Sequence, residues 1–330
     1  MILTVSTHDD PTCDDVEQKL TMIGADFCRI NTETFGTRTT VDLSVSDGRI
    51  AGALNVDDRR IDLESIKSIY YRRPAPAEPS PLVTNAEARH VARQESDSLI
   101  RQLWQALEDR FWVSHPAAIR RAEHKLLQLR EALALGFRLP ATIITQDVRR
   151  AREFVEAQNG QVAIKTISGV ILEGESVRTA YTHKWVPKDA RLLEGVALCP
   201  TLLQEYVPKQ SELRITVVGS TVFTCEMDTQ TDPTCAVDWR RGSALRIAHR
   251  AFRLPATLEE RCSALVRRLG LQYGAIDMIR TPEDDFVFLE INANGQFGWC
   301  EGLAGLPISL EIAQLLVNRE RGTAGMKKQP

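Results

Sequence analysis

Apolar residues in the first part of the chain follow two spacings, which together predict a mixed α/β region. Short β-branched runs predict strands, and apolar residues three or four positions apart predict helices. The predicted strands are 1–5, 41–45, 50–54 and Ser68–Tyr71, and the predicted helices are 14–24 and 85–110. Residues 74–81 contain four prolines, which neither continue a helix nor fit a central strand, so they predict an extended connector.

The pattern changes near Ser114-His-Pro116, where the second part of the chain begins. The predicted helices here are 119–135, 147–158, 258–269 and 307–317. The predicted strands are Thr142–Thr145, 161–167 and 202–206, with hairpins of 213–218 with Thr221–Met227 and of 275–280 with 286–292. We therefore predict an α/β fold with a boundary between two regions near residue 114.

Composition narrows the class of protein. The 330 residues carry a net charge of −3, with 43% hydrophobic and 26% charged residues, as in ordinary globular proteins. This excludes a disordered chain, and the near-neutral charge argues against a nucleic-acid partner. No apolar run is long enough to span a membrane, and the first ten residues lack the basic region of a signal peptide. We expect a cytoplasmic protein with no membrane partner.

Cysteine and histidine spacing argues against two further kinds of site. The seven cysteines are scattered with no C-x-x-C pair, and the six histidines form no H-E-x-x-H motif. Neither a disulfide framework nor a zinc site is therefore expected.

The last predicted hairpin brings two acidic residues together. Its loop, 282–285, pairs Thr281 with Phe286 and, counting back, Asp277 with Glu290. Directly opposed residues of a hairpin share a face, and two opposed carboxylates repel each other. Asn292 lies on the same face as Glu290. An Asp, Glu and Asn oxygen set suits Mg²⁺, although a solvated strand face is the alternative.

The opposite face of this hairpin is predicted to be apolar. Alternation places four apolar side chains there, namely Ile276, Met278, Leu289 and Ile291. A buried apolar face favours the cation site over the solvated one, because it fixes the direction in which the acids point.

Two lysines and a strand edge add features of a nucleotide site. Lys125 lies in a predicted helix, and Lys165 lies inside an apolar strand, where a solvent-facing lysine is the ordinary interpretation. The segment Gln204-Glu-Tyr-Val-Pro208 offers free backbone groups to a flat base, and Glu212 is an acceptor suited to ribose, with Arg214 on the same face. The chain has neither a Walker P-loop nor a G-x-G-x-x-G motif, so a nucleotide needs another type of fold.

The order of these motifs resembles the ATP-grasp superfamily from Ser114 to the C-terminal helix. Three further segments resemble the ATP-grasp maturases of ribosomal peptides (RiPPs), the microviridin-type or graspetide macrocyclases. They are Ser68-Ile-Tyr-Tyr-Arg-Arg-Pro74, Arg121-Ala-Glu-His-Lys125-Leu-Leu-Gln-Leu129 and Leu289-Glu-Ile-Asn-Ala-Asn-Gly-Gln-Phe-Gly-Trp299. Tyr70 and Ala293 stand where the family usually has tryptophan and proline. The resemblance implies a pre-ATP-grasp domain over 1–113, a central or lid subdomain over 114–200 and a Mg-ATP subdomain over 201–330.

The resemblance also implies a role for each site residue. The ATP-binding residues would be Lys125 and Lys165 on the phosphates, Gln204, Glu205, Tyr206 and Val207 around adenine, and Glu212 on ribose. The Mg²⁺ ligands would be Asp277, Glu290 and Asn292. Arg214 would neutralise the γ-phosphate and the developing acyl phosphate. Arg240, in the loop-like stretch 238–242, is a second catalytic candidate. Arg72, Arg73, Asp238 and Arg241 are candidates for the acidic peptide, with surface ion pairs as the alternative.

The implied activity is macrocyclisation of a precursor peptide. An Asp or Glu side chain would become an acyl phosphate, and a Thr or Ser hydroxyl or a Lys amine of the same peptide would attack it, giving an ω-ester or an ω-amide. The expected partners are a precursor peptide with a leader and an acidic, Thr-containing core, and a second copy in a homodimer. The alternatives are an intermolecular ligase of the glutathione synthetase or glutamate-adding type and a non-enzymatic nucleotide-binding module.

Overall fold

The computed structural model describes residues 1–46, 48–168, 170–173, 176–179 and 181–325, and for 170–173, 176–179, 244 and 320–325 it describes the backbone alone. The strands are β1 (Ile2–Ser6), β2 (Phe27–Asn31), β3 (Thr39–Ser46), β4 (Arg49–Val56), β5 (Arg59–Asp62), β6 (Ser68–Tyr71), β7 (Phe111–Val113), β8 (Thr142–Thr145), β9 (Val162–Lys165), β10 (Val170–Glu173), β11 (Ser176–Thr179), β12 (His183–Lys184), β13 (Thr201–Glu205), β14 (Ser211–Val218), β15 (Thr221–Met227), β16 (His249–Ala251), β17 (Tyr273–Arg280) and β18 (Phe286–Asn292). The α-helices are α1 (Pro11–Met22), α2 (Ala86–Ala106), α3 (Pro116–Ala122), α4 (Lys125–Ala134), α5 (Val148–Ala157), α6 (Ala256–Arg268), α7 (Gly298–Ala304) and α8 (Ile308–Gly325).

The N-terminal region is built on a parallel sheet in the order β2-β1-β6-β7. The carboxylate of Asp10 caps α1 by accepting from the backbone of Thr12 and Cys13, and Pro11 occupies the first turn. Strands β3, β4 and β5 form a separate antiparallel sheet, and the proline-rich segment between β6 and α2 is extended, as predicted.

The rest of the described chain contains two larger antiparallel sheets and the two-stranded antiparallel sheet β10-β11. The central sheet has the order β12-β9-β13-β8 and packs against α5, whose N-terminus is capped by Asp147. The C-terminal sheet has the order β16-β15-β14-β17-β18. Its two faces are covered by different helices. One face packs against α6 in one apolar cluster, and the other packs against α1 and α8 in a second cluster. The mixed α/β class predicted from the sequence is confirmed.

The helix predicted over 119–135 is wrong in one respect, because it is divided into α3 and α4. The Gln128 amide donates to the carbonyl of Ala122 at 2.7 Å and so satisfies the end of α3. The same amide donates to the carbonyl of Ile291 on β18 at 2.8 Å. The division therefore places Lys125 at the first turn of α4, beside β18. Helix α8 is also longer than the predicted 307–317.

Within the described residues, none of the helices combines the length and the apolar character needed to cross a membrane.

Candidate functional site

A pocket of about 990 Å³ lies between the central and the C-terminal sheets, and it gathers most of the residues predicted for the site. The predicted residues that line it are Arg73, Lys125, Lys165, Gln204, Glu205, Tyr206, Val207, Glu212, Arg214, Asp238, Arg240, Asp277, Glu290 and Asn292. They come from segments far apart in sequence, so the fold brings them together. Their individual roles stay predictions.

The register of the β17–β18 hairpin differs from the prediction by one residue near its turn. Phe286 pairs with Arg280 and not with Thr281, yet Asp277 still pairs with Glu290 because the register shifts between Asp277 and Met278. Such a shift marks a β-bulge, which places one extra residue in one strand. The loop-proximal pairing was therefore wrong, and the pairing of the two carboxylates is confirmed.

The bulge also changes which face Leu289 occupies. Phe288 is fully buried in the apolar cluster beneath the sheet, where Leu289 was predicted to lie. Leu289 instead lines the pocket, next to Val207 and Ile279. These three side chains form an apolar patch beside the Gln204–Val207 segment, which suits the flat face of a base.

The two carboxylates meet at Asn292, as the sequence predicted. The Asn292 amide nitrogen lies 2.9 Å from Asp277 Oδ2 and 3.4 Å from Glu290 Oε1. A half-turn of this amide would direct its oxygen to the same point, giving three oxygen ligands of the kind that Mg²⁺ prefers. The donor set therefore fits a magnesium ion, although no cluster of three His, Cys, Asp or Glu side chains suited to a metal occurs in the part of the chain described.

Different cations control the two carboxylates. Burial alone would raise the pKa of Glu290, but the ammonium groups of Lys125 and Lys165 outweigh it and lower the pKa to about 2. Lys125 forms an ion pair with Glu290. Burial raises the pKa of Asp277 despite the nearby Arg214. Glu290 is therefore the more firmly ionised of the pair.

Lys165 points into the pocket, and the ordinary interpretation of a solvent-facing lysine was wrong. Its ammonium donates to Gln204 Oε1 at 2.7 Å, and the Gln204 amide donates in turn to Thr142 Oγ1 at 3.0 Å. Burial and the like charge of Lys125 lower the pKa of Lys165, while Glu290 opposes this change. The lysine is thus held by Gln204 of β13 with its ammonium near Glu290.

Arg214 is the buried cation of the C-terminal sheet. It donates to both carboxylate oxygens of Asp277, at 2.7 and 2.8 Å, and to the carbonyl of Gln296 at 3.3 Å. Its guanidinium carbon lies 5.8 Å from the ring centre of Trp299. These contacts fix the guanidinium beside the candidate metal ligands.

The segment 238–241 presents Arg240 to the pocket and turns Arg241 away. Asp238 accepts two hydrogen bonds from the Arg240 guanidinium, at 2.9 and 2.6 Å, and one from the Thr182 backbone at 2.8 Å. Its carboxylate is thus engaged within the chain and orients Arg240. Arg241 does not line the pocket and donates to the Thr182 carbonyl.

The paired arginines after β6 also separate. Arg72 is 2% exposed, so the alternative of a surface ion pair was wrong for it; it donates to the carbonyl of Asn294 and lies 4.0 Å from Asp10. It does not line the pocket. Arg73 lines the pocket with much of its side chain exposed, and partial desolvation of its guanidinium together with the charge of Arg72 lowers its pKa.

Sequence reasoning missed Lys209, whose side chain is 5% exposed. Its ammonium contacts Glu212 and donates to the carbonyl of Val237 at 3.1 Å. Burial raises the pKa of Glu212, and Lys209 opposes that rise. The signal was present in the sequence, because Lys209 directly follows the Q-E-Y-V-P segment and precedes Glu212 by three residues.

Comparison with known proteins shows which families and solved structures the chain resembles. A family model described as the MvdD pre-ATP grasp domain matches residues 1–120. A Chryseobacterium gregarium RiPP-associated ATP-grasp ligase, in complex with ADP and a leader and core peptide, is 28% identical over 96% of both chains, with a TM-score of 0.88. The macrocyclase MdnC of Microcystis aeruginosa, bound with precursor peptide MdnA, is 31% identical over 96% of this chain and 99% of its own, with a TM-score of 0.83.

A third solved structure, the macrocyclase MdnB of Microcystis aeruginosa, is 29% identical over 96% of this chain and 98% of its own, with a TM-score of 0.78. No protein matches in the comparison with curated proteins. Fold and site together define an ATP-dependent ligase with the ATP-grasp fold, which confirms the predicted fold family. Within that class, the chain belongs to the RiPP-modifying ATP-grasp ligases, the family of the MdnC macrocyclase.

Proposed function

We propose that the chain closes rings in a ribosomally made precursor peptide, with ATP as the energy source. The observation that carries the proposal is the convergence of four cations on one carboxylate pair. Lys125 and Lys165 lie on one side of Glu290, and Arg214 and Arg240 lie near Asp277. The full-length similarity to MdnC, a macrocyclase bound with a precursor peptide, supports the same class of substrate.

In the first step, a side-chain carboxylate oxygen of the peptide attacks the γ-phosphorus of ATP. The P–O bond to ADP breaks, and an acyl phosphate forms. Because attacking group and target are both anionic, cations fixed in advance lower the barrier. Lys125 and Lys165 bind phosphate oxygens, Arg214 and Arg240 neutralise the transferred group, and Arg73 attracts the acidic peptide at the pocket wall.

The candidate metal ligands add to this stabilisation. Asp277, Glu290 and Asn292 would hold Mg²⁺, which supplies positive charge for the phosphates when bound. The apolar patch of Val207, Ile279 and Leu289 receives adenine, and Glu212 binds ribose. All of these residues line one continuous pocket, which supports the proposed assignments.

In the second step, a Thr or Ser hydroxyl, or a Lys amine, of the same peptide attacks the acyl carbon. The bond to phosphate breaks, the nucleophile loses its proton, and an ω-ester or ω-amide closes the ring. A leader segment bound to the protein raises the effective concentration of the core. We further propose a homodimer and a cytoplasmic location, with neither nucleic-acid nor membrane partners.

Incubation with ATP, Mg²⁺ and an acidic, Thr-containing precursor tests the proposal by mass spectrometry of the peptide. Each ring lowers the peptide mass by one water and forms one ADP. A gain in mass would indicate the intermolecular ligase, and binding of ATP without ADP formation would indicate the nucleotide-binding module.

Variants of the carboxylate pair test the site. We expect Asp277→Asn and Glu290→Gln to lower ring formation by about a hundredfold or more while the chain stays folded. Asp285→Asn, on the exposed turn of the same hairpin, is the matched control and retains activity. Full activity of either site variant would refute the assignment.

A further inference from the structure

Lys209 contacts two parts of the pocket that otherwise have separate tasks. Its ammonium forms an ion pair with Glu212, the candidate ribose ligand, and donates to the carbonyl of Val237 at 3.1 Å. Both side chains are at most 9% exposed. A buried ammonium is stable only when it is paired and hydrogen-bonded, so both contacts are needed to keep it there.

Glu212 can hold Lys209 and a nucleotide at the same time. Lys209 occupies its Oε1, and Oε2 has no hydrogen-bond partner among the described residues. Glu212 and Lys209 both line the pocket. A ribose hydroxyl can therefore donate to Oε2 without displacing the lysine, and that bond immobilises the Glu212 side chain on which the ammonium rests.

The second contact of Lys209 lies at the start of the segment that presents Arg240. Val237 directly precedes Asp238, whose carboxylate orients the Arg240 guanidinium. The segment is also held by the Thr182 backbone, which donates to Asp238 and accepts from Arg241, and by Trp239, whose ring centre lies 4.8 Å from that of Trp299. A shift of the Val237 carbonyl would therefore move Arg240 in the pocket.

We propose that Lys209 is a positioning residue that links nucleotide occupancy at Glu212 to the placement of residues 237–241 through the Val237 carbonyl. The nucleotide thereby orders the arginine that acts on its own γ-phosphate. The inference rests on the proposed function in taking ATP as the occupant of the pocket.

Hydrogen exchange of the whole chain, with and without saturating Mg-ADP, tests the link without any peptide. In the wild type we expect slower exchange in 204–207, from nucleotide binding, and also in 237–241. No protection in either segment would contradict the nucleotide site and with it the proposed function. Protection of 204–207 alone would overturn the role of Lys209 and leave the proposed function standing.

Two variants separate positioning from a structural role. At saturating Mg-ADP, Lys209→Met retains the protection of 204–207 and loses that of 237–241. Lys209→Arg restores it, because a guanidinium can donate to both partners. Protection of 237–241 in Lys209→Met equal to that of the wild type would overturn the proposal. If Lys209→Met does not fold, Lys209→Gln takes its place, with the same expected loss of protection in 237–241 and the same contradicting outcome.

Kinetics give a second readout. With ATP saturating, Lys209→Met lowers kcat for ADP formation by about tenfold or more, because a misplaced catalytic group slows the reaction even when the substrate is bound. Glu212→Gln, whose amide oxygen can still accept from the Lys209 ammonium, mainly raises KM for ATP. A Lys209→Met variant with an altered KM and an unchanged kcat would show a contribution to binding alone and would refute the link.

Discussion

Adjacent carboxylates in the pocket differ in charge state because their neighbours differ. Glu290 lies beside Lys125 and Lys165, which hold its pKa at about 2 against the effect of burial. Burial dominates at Asp277 and raises its pKa in spite of Arg214. A cation that binds both carboxylates requires both to be ionised. The two lysines keep one of them, Glu290, ionised before any cation binds.

Lys125→Met tests whether the Lys125 ammonium is needed at the site. Loss of the ammonium removes the ion-pair partner of Glu290 and the proposed phosphate contact, and we expect kcat/KM for ATP to fall by about a hundredfold. Steady-state ADP formation measures the effect. Lys188→Met, at an exposed lysine, is the control and retains the wild-type rate. Equal rates of ADP formation in the two variants would refute the assignment of Lys125 to the ATP site.

A buried carboxylate outside the pocket predicts how stability depends on pH. Burial would raise the pKa of Glu226, but the Ser211 hydroxyl, at 2.6 Å, and the guanidinium groups of Arg280 and Arg250 outweigh it and lower the pKa below its ordinary 4.5. A lowered pKa contributes stability above the unfolded-state value, and this contribution is lost as pH falls through the folded-state value.

Glu226→Gln should therefore lower the free energy of unfolding by about 1–3 kcal/mol at neutral pH. The difference from the wild type should shrink as pH falls below about 4.5. Chemical denaturation at several pH values measures it. A difference that stays constant down to pH values well below the ordinary pKa would contradict the ionic interpretation.

At the scale of elements, the turn after β18 depends on one small residue. A Cβ atom on Gly295 would lie 2.5 Å from the Cβ of Ala275 and 3.2 Å from that of Asn292. The Gly295 carbonyl accepts from the Tyr273 hydroxyl at 2.6 Å. The absence of a side chain therefore lets the turn lie against β17, next to a candidate metal ligand.

Gly295→Ala is expected to lower stability by about 1–3 kcal/mol and to reduce ring formation, because the turn and Asn292 must shift. Gly302→Ala, on an α7 surface where an added Cβ meets no atom within 4 Å, is the matched control and should be neutral or slightly stabilising. Thermal unfolding and peptide mass measure both effects. A Gly295→Ala variant as stable and active as the control would refute the packing argument.

The sequence predicted the elements better than the contacts between them. Counting from the turn gave the correct opposition of Asp277 and Glu290, because the bulge compensates for a turn pairing that was wrong by one residue. The bulge that moves Leu289 into the pocket could not be predicted, since an extra residue in a strand leaves no mark in the hydrophobic pattern. The division between α3 and α4 depends on the Gln128 contact with β18, which is a tertiary contact.

The same difference holds for the site residues: the sequence indicated which residues belong to the site better than it indicated their contacts. The order of the ATP-grasp motifs marked Lys165 as a site residue, and the basic loop-like stretch 238–242 suggested Arg240; both line the pocket. Burial of Arg72 beneath the turn after β18 could not be predicted, because it depends on how the N-terminal sheet meets the C-terminal one. Contacts between residues far apart in sequence, such as that of the Lys209 ammonium with the Val237 carbonyl, can be identified only from the folded structure.

On the scale of the whole molecule, α8 joins the N-terminal and C-terminal regions. Ile312 and Leu316 are fully buried in a cluster that includes side chains of β1, β6 and the C-terminal sheet. The Ser68 hydroxyl on β6 donates to the Leu316 carbonyl at 2.9 Å. The two regions therefore share one core, and we expect them to unfold together.

Leu316→Ala should lower the free energy of unfolding by about 2–5 kcal/mol and leave a single unfolding transition. Leu303→Ala, at a leucine that is 37% exposed, is the control and should cost less. Calorimetry distinguishes the outcomes. Two separate transitions in which only the C-terminal region is destabilised would contradict a shared core.

The central claim is that the pocket makes an acyl phosphate from a peptide carboxylate. A precursor whose Asp and Glu side chains carry oxygen-18 tests it most directly, through the isotope content of the inorganic phosphate released during ring closure. If the carboxylate attacks the γ-phosphorus, one labelled oxygen leaves with phosphate for every ring formed. Ring formation with unlabelled phosphate would contradict the account.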